Sequence, residues 1–362
     1  MERMRRSRRA LFAGVLAVAG LQAYLDIGID GGRLDWADAE YGTTLRHLEQ
    51  RKREYPNRPV VVMLGTSRSK TAFAADRLSE AVPGDENPPL VLNASVYSAH
   101  PFHFQLVLRR LIATGAKPDA VFVEIFPLYM SDTSAIYAAD PGRVAIPHKA
   151  TELHRLRGAD LDLIWKHDPD RAALWTRRWC ESRLVPVSEH RNILIQRYAE
   201  TWAMPDVAGS PKYWRAAMSP FGWAQPRVRS LPEGAGAGAE AATEQAYRPH
   251  TAFTEVNRTY DVLLRDLLDF CAKEQVEVLG LVIMPESRTF RSWYPENTTV
   301  LIRNYTRELA TEYGTRMIDA GDWLPDSQFL DHHHVMDPGA EQFSDRLRAE
   351  YIRPWMRNRS GR

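Results

Sequence analysis

The chain has 362 residues, of which 44% are hydrophobic, enough for one large domain with an insertion or for two domains. Its net charge is +1; residues 1–9, with five arginines and one glutamate, contribute +4 and leave −3 for the remainder. Because no basic surface is implied, we expect no nucleic-acid partner. Cys180 and Cys271 are too few for a disulfide framework, and two separate thiols are favoured over a single bridge.

Residues 10–25 are almost wholly apolar and follow the arginine-rich start of the chain. This layout is typical of a secretion signal or a signal anchor. The run is shorter than the about 20 residues of a membrane-spanning helix, although Ile27 and Ile29 extend it. A cleaved signal and an anchor fit equally well, and a core helix of a cytosolic protein fits less well. We therefore predict a signal segment over 1–29, attachment to the membrane or export, and a helical or irregular stalk over 30–57.

From residue 58 onward, short apolar runs alternate with amphipathic segments. Strands are predicted at 59–64, 90–94, 120–126, 276–284 and 316–319. Helices are predicted at 69–82, 101–114, 254–273, 298–313 and at the C-terminus. The alternation predicts an α/β fold, a flavodoxin-like doubly wound parallel sheet of about five strands, built from residues 58–130 and 250–357.

Residues 131–249 depart from this alternation. They carry six tryptophans, many arginines and few β-branched runs. We predict a mostly helical insertion, with a cap over the site as a candidate role. Within it, the Gly/Ala-rich stretch 234–238 predicts a flexible loop.

Asp331 and His334 stand three residues apart before the last helix. A fixed carboxylate that holds one imidazole nitrogen as N–H makes the ring a competent general base. Ser67 is the best candidate for the nucleophile, because Gly65-Thr66-Ser67 occupies the turn after the first strand, where α/β sheets place their sites. The alternative role for Ser67 is that of a helix N-cap.

These two motifs resemble those of the SGNH, or GDSL-like, hydrolase superfamily. In that family Gly-x-Ser supplies the nucleophile and a C-terminal Asp-x-x-His supplies the other two members of the triad; Gly339 also follows the histidine at the family's spacing. The resemblance spans residues 58–130 and 250–355 and implies acyl-ester chemistry by Ser67, His334 and Asp331. The membrane-anchored members that modify cell-surface polymers, such as the alginate O-acetylation proteins, are a nearer comparison than the secreted lipases.

Two positions depart from the family pattern. Ser98 stands where the family has its oxyanion-hole glycine, and Leu128 stands where it has an asparagine. The backbone N–H groups of Ser67 and Ser98 are then the available oxyanion donors. Loss of one such donor costs about 10²–10³ in rate in a protease, so fast esterase activity requires a substitute.

The remaining polar motifs lie near the same strand ends. Arg288 and Arg291, with Trp293 and Tyr294, suit binding of a polar, anionic or sugar-like group, unless they pair with local carboxylates such as Glu286. Glu124, at the end of the third strand, is either a carboxylate of the site or a structural partner of Arg288 or Arg291. The structural role is slightly favoured.

His332 and His333 raise the question of a metal site, together with Asp331 and Asp337. Consecutive histidines in a loop point in different directions, so we predict exposed or partly packed rings, no metal and no cofactor.

Together these features predict a serine acyl-ester hydrolase or O-acyltransferase that acts on a cell-envelope glycan or lipid. The rival hypothesis is a catalytically weak or inactive carbohydrate-binding or scaffold protein with the same fold. The missing asparagine favours this rival, and the intact Asp-x-x-His motif disfavours it. A cytosolic enzyme with an apolar N-terminal helix is the second rival.

Overall fold

The computed structural model describes residues 2–30, 39–80, 88–131, 156–184, 218–224, 229 and 237–360. The chain divides into two compact units. The smaller unit comprises residues 1–43 and 148–213, and the larger unit comprises residues 44–147 and 214–362.

Five parallel strands form the centre of the larger unit. They are β1 (Val60–Leu64), β2 (Leu90–Asn93), β3 (Ala120–Ile125), β4 (Glu277–Ile283) and β5 (Met317–Asp319). Their order across the sheet is β2-β1-β3-β4-β5, which is the flavodoxin-like order of a doubly wound fold. The predicted fold class is therefore confirmed, and each strand lies within one residue of its predicted limits.

The helices surround this sheet or belong to the smaller unit. In chain order they are α1 (Glu2–Asp30), α2 (Ala39–Glu54), α3 (Ser67–Ala72), α4 (Ala75–Ser79), α5 (Pro101–Ala113), α6 (Leu161–His167), α7 (Pro169–Leu184), α8 (Ala237–Tyr247), α9 (Arg258–Lys273), α10 (Arg288–Arg291), α11 (Glu296–Glu312), α12 (Asp337–Leu347) and α13 (Arg353–Ser360). A π-helical segment, Arg348–Ile352, joins α12 to α13.

Burial is complete in β1, β2 and β3, whereas β4 begins with an exposed residue and β5 is partly exposed. Every residue of β1 and β3 is buried, as expected for parallel strands covered by helices on each side. Because the strands are parallel, the segments that leave β1, β3 and β4 emerge at one edge of the sheet. This edge carries the turn to Ser67, the turn at Phe126 and the segment 284–287.

The single helix predicted at 69–82 is wrong. Two short helices, α3 and α4, replace it, and the chain between them is extended at Phe73. The cause is the buried side chain of Asn93, whose amide donates to the carbonyl oxygens of Ser69 (2.8 Å) and Phe73 (2.9 Å). In addition, Ser344 Oγ accepts the Ala74 N–H (2.9 Å) and the Lys70 carbonyl accepts the Ala224 N–H (3.1 Å). Bonds to distant residues thus replace the helical bond between Ala74 and Lys70.

The predicted insertion is helical over part of its described length. Residues 161–184 form α6 and α7 in the smaller unit, where the Trp179 indole donates to the Leu156 carbonyl (3.0 Å). Residues 218–224 belong to the larger unit, where the Trp223 indole donates to the Thr71 carbonyl (2.8 Å). Of the predicted flexible loop, residues 237–238 are helical in α8, and 234–236 lie outside the described residues.

The N-terminal part of the chain is helical over Glu2–Asp30. Large apolar side chains of α1 are exposed: Leu11, Phe12, Val15, Leu16, Val18, Leu21, Tyr24 and Ile27. Among the residues that the structure describes, no helix combines the length and apolar character needed to cross a membrane. Within the region predicted as a stalk, α2 extends into the larger unit and buries Leu45 and Leu48.

Candidate active site

Ser67 is the first residue of α3, directly after the turn that leaves β1. Thr66 caps the helix, since its hydroxyl accepts the Arg68 N–H (3.2 Å). Glu124, at the end of β3, holds the same turn by accepting the Thr66 N–H (2.7 Å), the Thr66 hydroxyl (2.8 Å) and the Ser69 hydroxyl (2.5 Å). A Cβ at Gly65 would collide with the Glu124 and Ser69 side chains, so glycine allows the carboxylate to approach the turn.

The hypothesis that Glu124 pairs with Arg288 or Arg291 is wrong. This carboxylate is 1% exposed, and its described partners are Thr66 and Ser69. Two hydroxyls and one backbone N–H satisfy the oxygens of the buried group. Glu124 therefore fixes the conformation of the turn that presents Ser67.

The structure brings Ser67, His334 and Asp331 together. His334 Nε2 lies 2.8 Å from Ser67 Oγ, although the two residues are 267 positions apart in the chain. On the other side of the ring, His334 Nδ1 lies 2.7 Å from Asp331 Oδ2. An ionised carboxylate only accepts hydrogen bonds, so the proton is assigned to Nδ1, and Nε2 accepts the Ser67 hydroxyl proton.

Asp331 is itself fixed in position. Its second oxygen, Oδ1, accepts the backbone N–H of His334 (2.8 Å). Burial opposes ionisation of this carboxyl, but the hydrogen bonds from the His334 ring and backbone, and attraction to the His333 and His334 rings when they are protonated, outweigh burial. They hold the pKa of Asp331 well below its usual range. Asp331 is therefore an anion that orients the imidazole at neutral pH.

The loop that carries Asp331 and His334 is closed by its own backbone. Phe329 and Val335 form an antiparallel bridge, and the Leu330 N–H donates to the His334 carbonyl (2.7 Å). Within the loop, His332 has a φ of 74°, a left-handed conformation that is uncommon for a residue other than glycine. The loop is attached to the sheet edge by a bond from the Ser287 N–H to the His332 carbonyl (2.8 Å).

His333 is more buried than the sequence suggested, at 3% exposure. Its ring centroid lies 4.1 Å from that of His334, and the rings of Tyr247 (5.0 Å) and Phe290 (5.4 Å) pack around it. Burial and the neighbouring His334 charge lower the pKa of His333 far below its usual range, so its ring is neutral at physiological pH. The sequence contains no periodic signal for this burial, because the packing residues come from α8 and α10.

Asp331, His333 and His334 also form the kind of cluster that binds metals. Their ligand atoms all lie within 4.8 Å of one another. However, both ring nitrogens of His334 and both oxygens of Asp331 already take part in hydrogen bonds. A metal ion at this place would have to break the chain that joins Ser67, His334 and Asp331.

The two arginines predicted to bind substrate have different environments. Arg291 Nη1 donates to the backbone carbonyls of Glu286 and Gly321, so that this side chain holds the segment after β4 in place. Arg288 is exposed; its backbone N–H donates to Asp326 (2.6 Å), and no described acceptor engages its guanidinium. Of the two, Arg288 is the one available to a ligand.

The candidate oxyanion donors are backbone groups. As the first residue of α3, Ser67 has an N–H without an intrahelical acceptor. Ser98 is exposed in the turn after β2, with a φ of 56°, a conformation that favours glycine. Leu128 is 2% exposed in a 3₁₀ turn and offers no polar side chain.

Arg68 is a residue of the site that the sequence analysis missed. It is 1% exposed, and its Nη2 lies 3.0 Å from Glu286 Oε1, 3.1 Å from the Met284 carbonyl and 3.2 Å from the Pro285 carbonyl. Its guanidinium also lies over the ring of Phe126, 4.7 Å from the centroid. The hint in the sequence is its position, directly after Ser67 in a turn between buried elements.

Searches against protein-family models and against curated proteins found no match to this chain. The geometry of the site is therefore the basis for the functional proposal.

Proposed function

We propose that the protein is an SGNH-type serine acyl-ester hydrolase or O-acyltransferase. The observation that supports this proposal is the continuous hydrogen-bond chain from Ser67 through His334 to Asp331. The chain lies at the carboxyl edge of a parallel sheet, where doubly wound folds place their sites. A serine, a histidine and a buried carboxylate in this order are the groups that nucleophilic acyl transfer requires.

In this mechanism Ser67 Oγ attacks the ester carbonyl carbon while its proton moves to His334 Nε2. Asp331 stabilises the imidazolium that forms. The tetrahedral intermediate then expels the alcohol, which takes the proton from His334, and the acyl group remains on Ser67. Water, or a hydroxyl of an acceptor, next attacks the acyl-enzyme with His334 as base and releases either an acid or a new ester.

The set of oxyanion donors bears on the rate of this reaction. The backbone N–H groups of Ser67 and Ser98 are the proposed donors, and Leu128 supplies none. The deficit of one donor corresponds to about 2.7–4 kcal/mol of transition-state stabilisation in a protease. When the substrate is held in place at high local concentration, positioning compensates for part of a slower chemical step. The missing donor therefore favours an anchored polymer as the substrate, whether its ester is hydrolysed or its hydroxyl receives the acyl group.

We further propose that the substrate is a glycan or lipid of the cell envelope. The exposed apolar side chains of α1, together with the arginines that precede them, support export or attachment to the membrane. The exposed Arg288 guanidinium, which no acceptor among the described residues engages, suits an anionic or sugar-like group near the loop that carries His334.

A fluorophosphonate probe tests the proposal, because it phosphonylates an activated serine and leaves ordinary serines intact. We expect labelling of the folded wild-type protein and none of Ser67→Ala. Ser292→Ala is the matched control, since Ser292 is exposed and its hydroxyl donates to the local Thr289 carbonyl (2.7 Å); labelling should be unchanged. A folded wild-type protein that stays unlabelled would favour the non-catalytic carbohydrate-binding or scaffold role.

A further inference from the structure

We infer that Arg68 is a positioning residue of the site. Through its contacts with residues 284–286, it holds the helix that begins at Ser67 against the segment to which the His334 loop is attached. This inference rests on the proposed function, in that it concerns the alignment of Ser67 with His334.

One end of this connection is the Arg68 side chain. Its Nη2 contacts three acceptors on consecutive residues: the carbonyls of Met284 and Pro285 and the carboxylate of Glu286. Glu286 is 3% exposed, so the ion pair is buried at both ends. Since the position of α3 relative to β4 affects all three contacts, the pair restricts movement of the helix that presents Ser67.

The other end of the connection is the next residue along the chain. The Ser287 N–H donates to the His332 carbonyl (2.8 Å), two residues before His334. The Glu286 N–H donates to the Gly321 carbonyl (3.0 Å), and Arg291 donates to that same carbonyl (2.6 Å). These bonds hold residues 284–287 against the turn after β5. Residues 284–287 therefore link the nucleophile and the base, which lie on elements far apart in sequence.

The hydrogen bonding of Arg68 is incomplete. Nε and Nη1 are buried and have no hydrogen-bond partner among the described residues. A buried cation with unsatisfied donors lowers stability, and apolar side chains of similar volume often replace a buried ion pair without loss. Fold stability alone therefore does not account for an arginine at this position, whereas a role in aligning the site does.

The test separates alignment from stability with a double variant. Changing only Arg68 or only Glu286 leaves an unpaired buried charge and risks unfolding. The double variant Arg68→Met/Glu286→Leu removes both charges together. It also leaves the Met284 and Pro285 carbonyls without the Arg68 donor, so we expect a folded protein that melts moderately below the wild-type temperature. The matched control is Arg265→Gln/Glu312→Gln, which removes an exposed ion pair between α9 and α11.

The first measurement is the kinetics of fluorophosphonate labelling at Ser67. We expect the maximal labelling rate of Arg68→Met/Glu286→Leu to fall by about 10²-fold, because a misplacement of 1 Å costs about that much, with unchanged reversible affinity for the probe. Arg68→Lys, which can still reach Glu286, should recover part of the rate. A folded double variant labelled at the wild-type rate would overturn the inference.

The second measurement does not depend on turnover. The ¹H–¹⁵N NMR signals of the His334 ring report its hydrogen bonds to Ser67 and Asp331. We expect these signals to shift in Arg68→Met/Glu286→Leu and to stay in place in the Arg265/Glu312 control. Unchanged signals would refute the role of Arg68. Wild-type protein that is unlabelled by the probe would instead count against the proposed function.

Discussion

Replacement of Asp331 by asparagine tests the orientation of the catalytic imidazole. In the wild type, Oδ1 accepts the His334 backbone N–H (2.8 Å) and lies 3.4 Å from the backbone N of His333, while Oδ2 faces His334 Nδ1 (2.7 Å). An asparagine can place its oxygen on only one of these sides. Turning the amide NH₂ toward the two backbone N–H groups would oppose donor to donor, so the oxygen stays there and the NH₂ faces Nδ1.

This orientation changes the protonation of the ring. Because the amide donates to Nδ1, the imidazole must carry its proton on Nε2, where it faces Ser67 and cannot accept the hydroxyl proton. The same substitution in a serine protease lowers kcat by about 10⁴, equivalent to about 5.4 kcal/mol in activation free energy. We expect a loss of that order in the Asp331→Asn variant.

The assay is hydrolysis of p-nitrophenyl acetate, together with the rate of fluorophosphonate labelling. The matched control is Asp326→Asn, which changes a carboxylate in the 3₁₀ turn Asp326–Gln328 that accepts the Arg288 N–H. Circular dichroism should show that both variants are folded. An Asp331→Asn protein with activity within about threefold of wild type would refute the proposed role of the carboxylate, because tautomer control predicts a far greater loss.

Four further predictions concern the surroundings of the triad. Wild-type hydrolysis of p-nitrophenyl acetate should be slow, since one oxyanion donor is missing; a rate typical of efficient esterases, with kcat/KM above about 10⁶ M⁻¹s⁻¹, would contradict this account of the donors. Arg288→Ala should raise KM for an anionic ester and leave the melting temperature unchanged. Arg291→Ala should lower the melting temperature, because the Glu286 and Gly321 carbonyls lose their donor. The reverse pattern would show that Arg291 binds the substrate and Arg288 has the structural role. Glu124→Ala should destabilise the fold by about 1–3 kcal/mol or more in urea unfolding, since buried donors at Thr66 and Ser69 lose their acceptor; a smaller loss would exclude a structural role for this carboxylate. Between pH 6.5 and 5, the free energy of unfolding should fall by up to about 1.4 kcal/mol per pH unit, because the unfolded chain protonates His333 near pH 6.5 and the folded chain does not. In His333→Phe, the unfolding free energy should depend less steeply on pH, and an unchanged dependence would contradict a buried neutral ring at this position. Burial raises the pKa of Glu286, which has the opposite effect on stability, but Glu286 is present in both proteins and its contribution cancels in the comparison.

The sheet could be predicted from the sequence because most of its strands are short apolar runs, and β1, β2 and β3 are fully buried. Val60–Leu64 illustrates this, since a run of five apolar residues, three of them valine, between Pro59 and Gly65 is typical of a buried strand. The helix at 69–82 could not be predicted correctly. Its interruption depends on Asn93 and Ser344, which lie in other elements and compete for the groups that a helix would pair.

The residues of the candidate site could likewise be predicted only in part. The proximity of Ser67, Asp331 and His334 was predictable, because two local motifs follow parallel strands and so reach one edge of the sheet. The contributions of Glu124, His333 and Arg68 were not. Each depends on burial by residues that are distant in sequence, and a charged or imidazole side chain shows no periodicity that reveals such burial.

The central claim is that Ser67, His334 and Asp331 act as one nucleophilic unit. Peptide mapping by mass spectrometry after fluorophosphonate treatment tests it most directly. His334→Ala is compared with His332→Ala, because the ring of His332 packs against Trp293 whereas that of His334 bonds Ser67. The claim predicts a single adduct on Ser67 in the wild type, retention of that adduct in His332→Ala and its loss in His334→Ala. An adduct on another residue, or labelling of Ser67 that persists at the wild-type rate in His334→Ala, would contradict it.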